Sequence, residues 1–220
     1  MKPRLDEQTI ALRAAREFFD GAVVNLGYGM PGLCANFIPE DKQVFFQAEN
    51  GVLGYGSLAS DEEKDFDLIN ASDQPITRLP GMSFFDSAAS FDMIRGGRID
   101  IVVLGAYQVS EKGDLANWGR PGRPATGMGG GMDLAVGAKK IIVAMLHTTK
   151  EGAPRIVKKC SYPLTAKQCV SLIITDLAVI EVTANGLILK ETAPGWTFNE
   201  IQDLTEAKLI PAKDIKEIAL

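Results

Sequence analysis

Three observations predict an α/β fold, an open and mainly parallel sheet with helices on both faces. Short, nearly continuous apolar runs recur, Ile99 to Leu104 and Ile141 to Met145 among them, as strands covered on both faces require. Segments of helical period lie between such runs. Gly-containing turns follow two of them, at Gly27 and at Asn50-Gly51, and another at Gly127 leads into a short helix. Strands that alternate with helices in this way give a three-layer α/β architecture. The chain has 220 residues, 46% hydrophobic and 23% charged, so one core can serve it and residues 1–220 are expected to form a single domain.

Glu7 to Asp20 predicts a helix, with Ile10, Ala14 and Phe18 on one side and Gly21 as its stop. Ala22 to Leu26 predicts a strand, Gly27 to Pro31 a tight turn, and Pro31 the start of a short helix reaching about Ile38. Val44 to Gln47 is the next strand. Gly51 to Pro80 has no helical period and reads as an excursion that lines a site. Phe84 to Ile94 predicts a helix closed by Gly96-Gly97, and Ile99 to Leu104 a buried strand. Asp114 to Thr126 is a loop, and Gly127 to Asp133 a Gly-rich turn into a short helix. Ile141 to Met145 and Arg155 to Cys160 are strands. Thr165 with Gln168 predicts a capping box and a helix. Ala178 to Val182 and Leu187 to Lys190 flank Asn185-Gly186 as a hairpin. Thr197 with Glu200 opens the last helix.

Composition excludes several classes. Net charge is −5, with no run of five like charges and no basic stripe, so no nucleic-acid surface is expected. The charged N-terminus lacks an apolar signal region, and no run of 18 apolar residues is present, so neither export nor a membrane span is expected. Three widely spaced cysteines point to a reducing cytoplasm, and one histidine without a CxxC pair points away from a metal.

Chemistry concentrates at Val44 to Gly56. Glu49 follows an apolar strand and precedes Asn50-Gly51, at a strand end where open α/β sheets bind ligands. The segment Gly27 to Gly32 is also a literal GxGxxG, with Glu49 about where a ribose-binding acid belongs. On pattern alone this is an NAD site. Pro31, which removes an N–H from the helix start, and the elaborate loop after Glu49 count against it. A plain tight turn, or an anion or thioester site made of backbone N–H groups, are the alternatives.

The motifs VNLGYGMP (Val24 to Pro31), QAENGVLG (Gln47 to Gly54), FFDSAASF (Phe84 to Phe91), IRGG (Ile94 to Gly97), LGAYQVSEKGDLANW (Leu104 to Trp118), GMGGGMDL (Gly127 to Leu134) and CSYPLT (Cys160 to Thr165) resemble, in this order, the B or β subunit of family I CoA-transferases of the 3-oxoacid group. They span about residues 8 to 200, and the resemblance displaces the NAD reading. Several positions depart from the family. Its usual serine before the glutamate is Ala48, its usual alanine is Gly131, and the Lys of its PGK is Arg123. Position 28 is Tyr28 in place of Ile or Val, and Ser72-Asp73 follow INA.

The resemblance implies the family's three-layer fold and ping-pong transfer of CoA from an acyl-CoA such as succinyl-CoA to a 3-oxoacid or short-chain acid. Glu49 is the implied nucleophile, carrying a glutamyl-CoA thioester. Asn25, Gly27, Gly29, Asn50, Gly130 and Gly131 are the implied CoA or oxyanion contacts. No cofactor or metal is implied, CoA being substrate and covalent intermediate. The implied partner is a CoA-transferase α subunit carrying a GGFG-like motif, which this chain lacks, in an α2β2 heterotetramer. Acyl-CoA hydrolysis or decarboxylation on the same fold is the alternative activity.

Other residues read more plainly. Asn25 could cap its strand end, and Asn50 could serve its turn through a positive φ. His147 packs or hydrogen-bonds at a strand end, Cys34 and Cys169 belong to the core, and Trp118 and Trp196 serve packing or a subunit contact. Arg123 is either a CoA-phosphate contact or a solvated loop charge. Asp86, Ser87 and Ser90 form a helix start, with no GxSxG elbow.

Overall fold

The structure, a computed structural model, describes residues 2–122 and 127–219. Arg123 and the end of the Asp114 to Thr126 loop lie outside the described residues. The strands are β1 (Val23–Leu26), β2 (Phe45–Ala48), β3 (Val52–Tyr55), β4 (Ser83–Phe84), β5 (Ile101–Leu104), β6 (Gln108–Ser110) and β7 (Leu115–Ala116). They continue with β8 (Lys140–Met145), β9 (Ile156–Val157), β10 (Leu172–Thr175), β11 (Ala178–Thr183), β12 (Gly186–Thr192) and β13 (Leu209–Glu217). The helices are α1 (Glu7–Ala15), a 3₁₀ helix (Met30–Phe37), α2 (Ser87–Arg95), α3 (Gly131–Gly137) and α4 (Phe198–Asp203).

Ten strands form one sheet in the order β13-β12-β11-β10-β8-β5-β1-β2-β3-β4. Its centre, β10-β8-β5-β1-β2, is parallel. Antiparallel hairpins extend it on both sides, β3 and β4 at one end and β11 and β12 at the other, and β13 runs parallel to β12 at the edge. A three-stranded sheet, β7-β6-β9, stands apart.

The continuous apolar runs follow from burial on both faces. Ile101 and Val103 join one core cluster, with α1 and the 3₁₀ helix, while Val102 and Leu104 join the other, with α2 and α3. Ile142 and Ala144 alternate with Ile141 and Val143 in the same way. Among the described residues no helix is long and apolar enough to cross a membrane.

Several expectations are corrected. α1 begins as expected, on an Asp6 cap accepting from the Thr9 N–H, but ends at Ala15. Phe18 is carried inward by turns with i→i−3 bonds and packs edge-on against Phe46. The excursion after Gly51 begins with strand β3, its glycines having hidden the alternation, and the loop after Asp114 contains β7. The strand expected over Arg155 to Cys160 is only Ile156–Val157.

The capping box at Thr165 does not start a helix. Its hydroxyl donates to Asn117 Oδ1 at 2.6 Å, Gln168 takes φ +50°, and the chain proceeds into the fully buried strand β10. The Thr197 box does form, opening α4. Strand β13 follows it, unforeseen because its lysines and Pro211 mask the pattern.

Candidate active site

Asn25 and Gln47 are register partners across the parallel pair β1–β2. Both are fully buried, on the sheet face that carries α2. Alternation puts Glu49, two residues past Gln47, on the same side just beyond the strand end. Glu49 opens a three-residue hairpin loop between Ala48 and Val52. The Gly51 N–H closes it onto the Ala48 carbonyl at 3.0 Å.

Gly51 has φ +116°, and a Cβ there would come within 2.0 Å of the Phe85 carbonyl oxygen, so only glycine fits. Asn50 lacks the positive φ expected of it. Its side chain donates instead to the Ile69 carbonyl at 2.8 Å, tying the excursion to the hairpin rather than reaching toward the carboxylate.

The two carboxylate oxygens of Glu49 have different neighbours. Oε2 accepts from Asn25 Nδ2 at 3.1 Å. Oε1 faces Gly130, where a Cβ would lie 3.2 Å from it and 3.4 Å from Cγ. At Gly131 a Cβ would meet nothing closer than 3.8 Å, from Asn117 and Thr165. Gly130 therefore makes room for the carboxylate and Gly131 does not. Two of the expected glycine contacts have their N–H groups engaged, Gly27 with the Val103 carbonyl (2.8 Å) and Gly131 with the Met128 carbonyl (3.1 Å). Their contribution is close backbone approach. Gly29, at φ +80°, shapes the turn into the 3₁₀ helix.

Glu49 lines a cavity of about 810 Å³ at the C-terminal ends of β1, β5 and β8, with Gly27, Gly105 and Leu146 as the residues just past each strand. This is the edge at which parallel α/β sheets bind ligands. The two glycine loops, Tyr28 and Met128, and from the small sheet Tyr107, Asn117, Trp118 and Arg155 complete its walls. Tyr28 is 81% and Met128 38% exposed at this cavity. Burial, and secondarily the nearby Glu49 carboxylate, hold the Tyr55 phenol above its usual range. Among the described residues no group of three or more His, Cys, Asp or Glu side chains is placed to hold a metal ion.

Sequence reasoning passed over Gln47, Ser90, Asn117 and Thr165 as site residues. A usable signal existed for Ser90, since it shares the buried stripe of α2 with Ile94, four residues on. A polar residue on an inward stripe asks for a partner. Ala48 faces the apolar cluster with Phe46 and Val52, on the other side of the sheet from Gln47. The serine usual at this position would accordingly not direct its hydroxyl at the carboxylate.

His147 lies elsewhere, fully buried at the end of β8. The Thr205 hydroxyl donates to the Ile201 carbonyl at 2.7 Å and so accepts from His147 Nε2–H at 2.8 Å. The Thr175 hydroxyl then donates to Nδ1 at 2.9 Å. Burial is the main cause that lowers its pKa to about 4. Burial likewise pushes the Cys34 thiol up to about 12 and those of Cys160 and Cys169 to about 11, so none is an activated nucleophile.

A family model described as coenzyme A transferase matches residues 7–204. The chain is 51% identical over 204 residues to the beta subunit of a probable coenzyme A transferase of Bacillus subtilis (strain 168), covering 93% of this chain and 94% of the relative. It is 48% identical over 203 residues to one subunit, also the second of its pair by name, of a probable succinyl-CoA:3-ketoacid coenzyme A transferase of the same organism, covering 92% and 94%. Among solved structures, an acyl-CoA transferase from E. coli O157:H7, in a thioester complex with CoA, superimposes with a TM-score of 0.75 at 23% identity. That match covers 99% of this chain and 44% of the other, so the chain spans less than half of that longer protein, and the likeness bears on the fold.

Proposed function

The chain belongs to the coenzyme A transferase family, and from that premise we propose that it is the nucleophile-bearing subunit of a transferase that moves CoA between an acyl-CoA, such as succinyl-CoA, and a 3-oxoacid or short-chain acid. The observation that carries this reading is the Glu49 carboxylate, with one oxygen held by Asn25 and the other beside Gly130 at the sheet's C-terminal edge.

A Glu49 oxygen attacks the thioester carbonyl, the C–S bond breaks, and CoA thiolate leaves a mixed anhydride on Glu49. The thiolate then attacks the glutamyl carbonyl carbon, and the first acid departs as carboxylate. A glutamyl-CoA thioester remains. An incoming carboxylate attacks that thioester, expelling CoA thiolate and forming a second mixed anhydride, and the thiolate then attacks its acyl carbonyl, giving the new acyl-CoA and freeing Glu49 as carboxylate. No proton has to be moved by a side chain, which agrees with the remote and inert position of His147. The thioester's free energy is conserved only where water is kept out, and the cavity rim is open in this chain. Exposed Tyr28 and Met128 at that rim support a protein partner closing over it, an α subunit in an α2β2 assembly.

The test is co-expression with an α subunit, treatment with acyl-CoA, and borohydride reduction. Exchange together with reduction at Glu49 is the expected result. Release of free CoA with no modified Glu49 would favour hydrolysis, and release of CO2 with the CoA thioester kept would favour decarboxylation.

A further inference from the structure

We propose that Gln47 and Ser90 are positioning residues for Glu49, acting through Asn25; the inference rests on Glu49 being the nucleophile. All three side chains of the relay are fully buried. Asn25 Nδ2 donates to Gln47 Oε1 at 2.7 Å and to Glu49 Oε2 at 3.1 Å, using both of its hydrogens. Gln47 Nε2 donates to Ser90 Oγ at 2.7 Å. Ser90 in turn directs its proton at the Ala48 carbonyl, at 3.4 Å. The ring thus starts at the Glu49 side chain and closes on the backbone immediately before it.

The direction of every bond in this ring is set by the carboxylate. Turning the Asn25 amide over would place Oδ1 against Glu49 Oε2, two acceptors at hydrogen-bond distance. As it stands, Asn25 Oδ1 is the one buried side-chain polar atom without a hydrogen-bond partner among the described residues. Such an atom asks for an explanation. Here the amide keeps the orientation that serves Glu49. Gln47 accepts the other Asn25 hydrogen and itself donates to Ser90, so turning the Asn25 amide would require Gln47 and the Ser90 hydroxyl to reverse as well. The consequence is a carboxylate with Oε2 held and Oε1 presented beside Gly130.

The experiment uses the chain in complex with its α subunit and measures the single-turnover rate of Glu49–CoA formation, trapped with borohydride, across acyl-CoA concentrations. Ser90→Ala and Gln47→Met are each expected to lower the saturating rate by about tenfold to a hundredfold, with half-saturation within about twofold. Ser90→Thr, which returns the hydroxyl, is expected to recover most of that loss. In an Asn25→Ala background, Ser90→Ala should cost less than about twofold more, because its path to Glu49 is already cut. A merely structural role would make the two losses multiply. Should Ser90→Ala fold poorly, Ser90→Cys keeps the volume, weakens the acceptor, and gives the same reading. Saturating rates within about twofold of wild type in Ser90→Ala and Gln47→Met overturn the proposal, and so do multiplying losses. Failure of the wild type to form the trapped species would overturn the transferase reading itself, a separate outcome.

Discussion

Two buried polar clusters sit at the ends of the parallel strands, and they are finished differently. Around His147 every donor and acceptor is matched. Both ring nitrogens have threonine hydroxyls, and the backbone N–H donates to Asp176 Oδ1 at 2.6 Å. Around Asn25 one oxygen is left over, and the chain of bonds ends on a carboxylate at the cavity. A closed network fixes the fold. An open one spends local stability, about 1–3 kcal/mol for an unsatisfied buried acceptor, to keep a reactive group in one orientation. Histidine is the more frequent catalyst in general, yet here it belongs to the closed cluster, and the proposed chemistry falls to a carboxylate.

Substitutions should separate the two clusters. Glu49→Gln keeps the shape and removes the proposed nucleophile. We expect exchange to fall by at least about 10³-fold with an unchanged melting temperature, measured on the co-purified complex. His147→Ala should do the reverse. Losing both threonine bonds and leaving a cavity is expected to cost about 2–4 kcal/mol in denaturant unfolding, with the rate per folded enzyme unaltered.

Acid should act on the same cluster. His147 stays neutral in the folded chain down to about pH 4, whereas an unfolded imidazole takes its proton near 6.5. Between these values the unfolded state binds more protons. Stability is therefore full above about pH 6.5 and falls as pH drops toward 4, by about 3 kcal/mol in total. Unfolding free energies measured through that window should lose this slope in His147→Ala.

Two smaller effects sharpen the open cluster. Gly130→Ala, whose Cβ would crowd Glu49 Oε1, is expected to reduce the rate about tenfold, and Gly131→Ala by less than about twofold. Ala48→Ser puts a hydroxyl into the apolar face beside Phe46 and Val52. It should cost about 1 kcal/mol of stability and leave acyl preference alone, as steady-state rates with two acyl donors would show.

The sequence carried the central sheet because strands covered on both faces leave a local record, an unbroken apolar run, as in Ile101–Leu104 and Lys140–Met145. Glu49 was singled out by its motif, and the structure places it on the cavity wall. Strand β10 has the same kind of run but was obscured by Thr165 and Gln168, whose pattern is that of a cap. The hydroxyl was claimed by Asn117, 48 residues away, and no local rule reports that. The Asn25–Gln47–Ser90 relay was illegible for a related reason. It depends on the β1–β2 register and on where α2 lands, both settled only when the chain packs. The same holds for Asn50, whose turn chemistry was inferred from its neighbour Gly51 while its amide serves the excursion.

The ends of the ten-stranded sheet have a consequence for association. A long open edge is a template for another chain's strand. At one end the sheet stops on β4, two residues long. At the other, β13 is nine residues long but has a shifted register against β12, largely exposed side chains, and Pro211, which has no N–H to offer. Lys213, Asp214 and Lys216 line the same stretch with charge. Neither border invites edge-to-edge growth, so a crowded solution of this protein should resist fibrillar stacking.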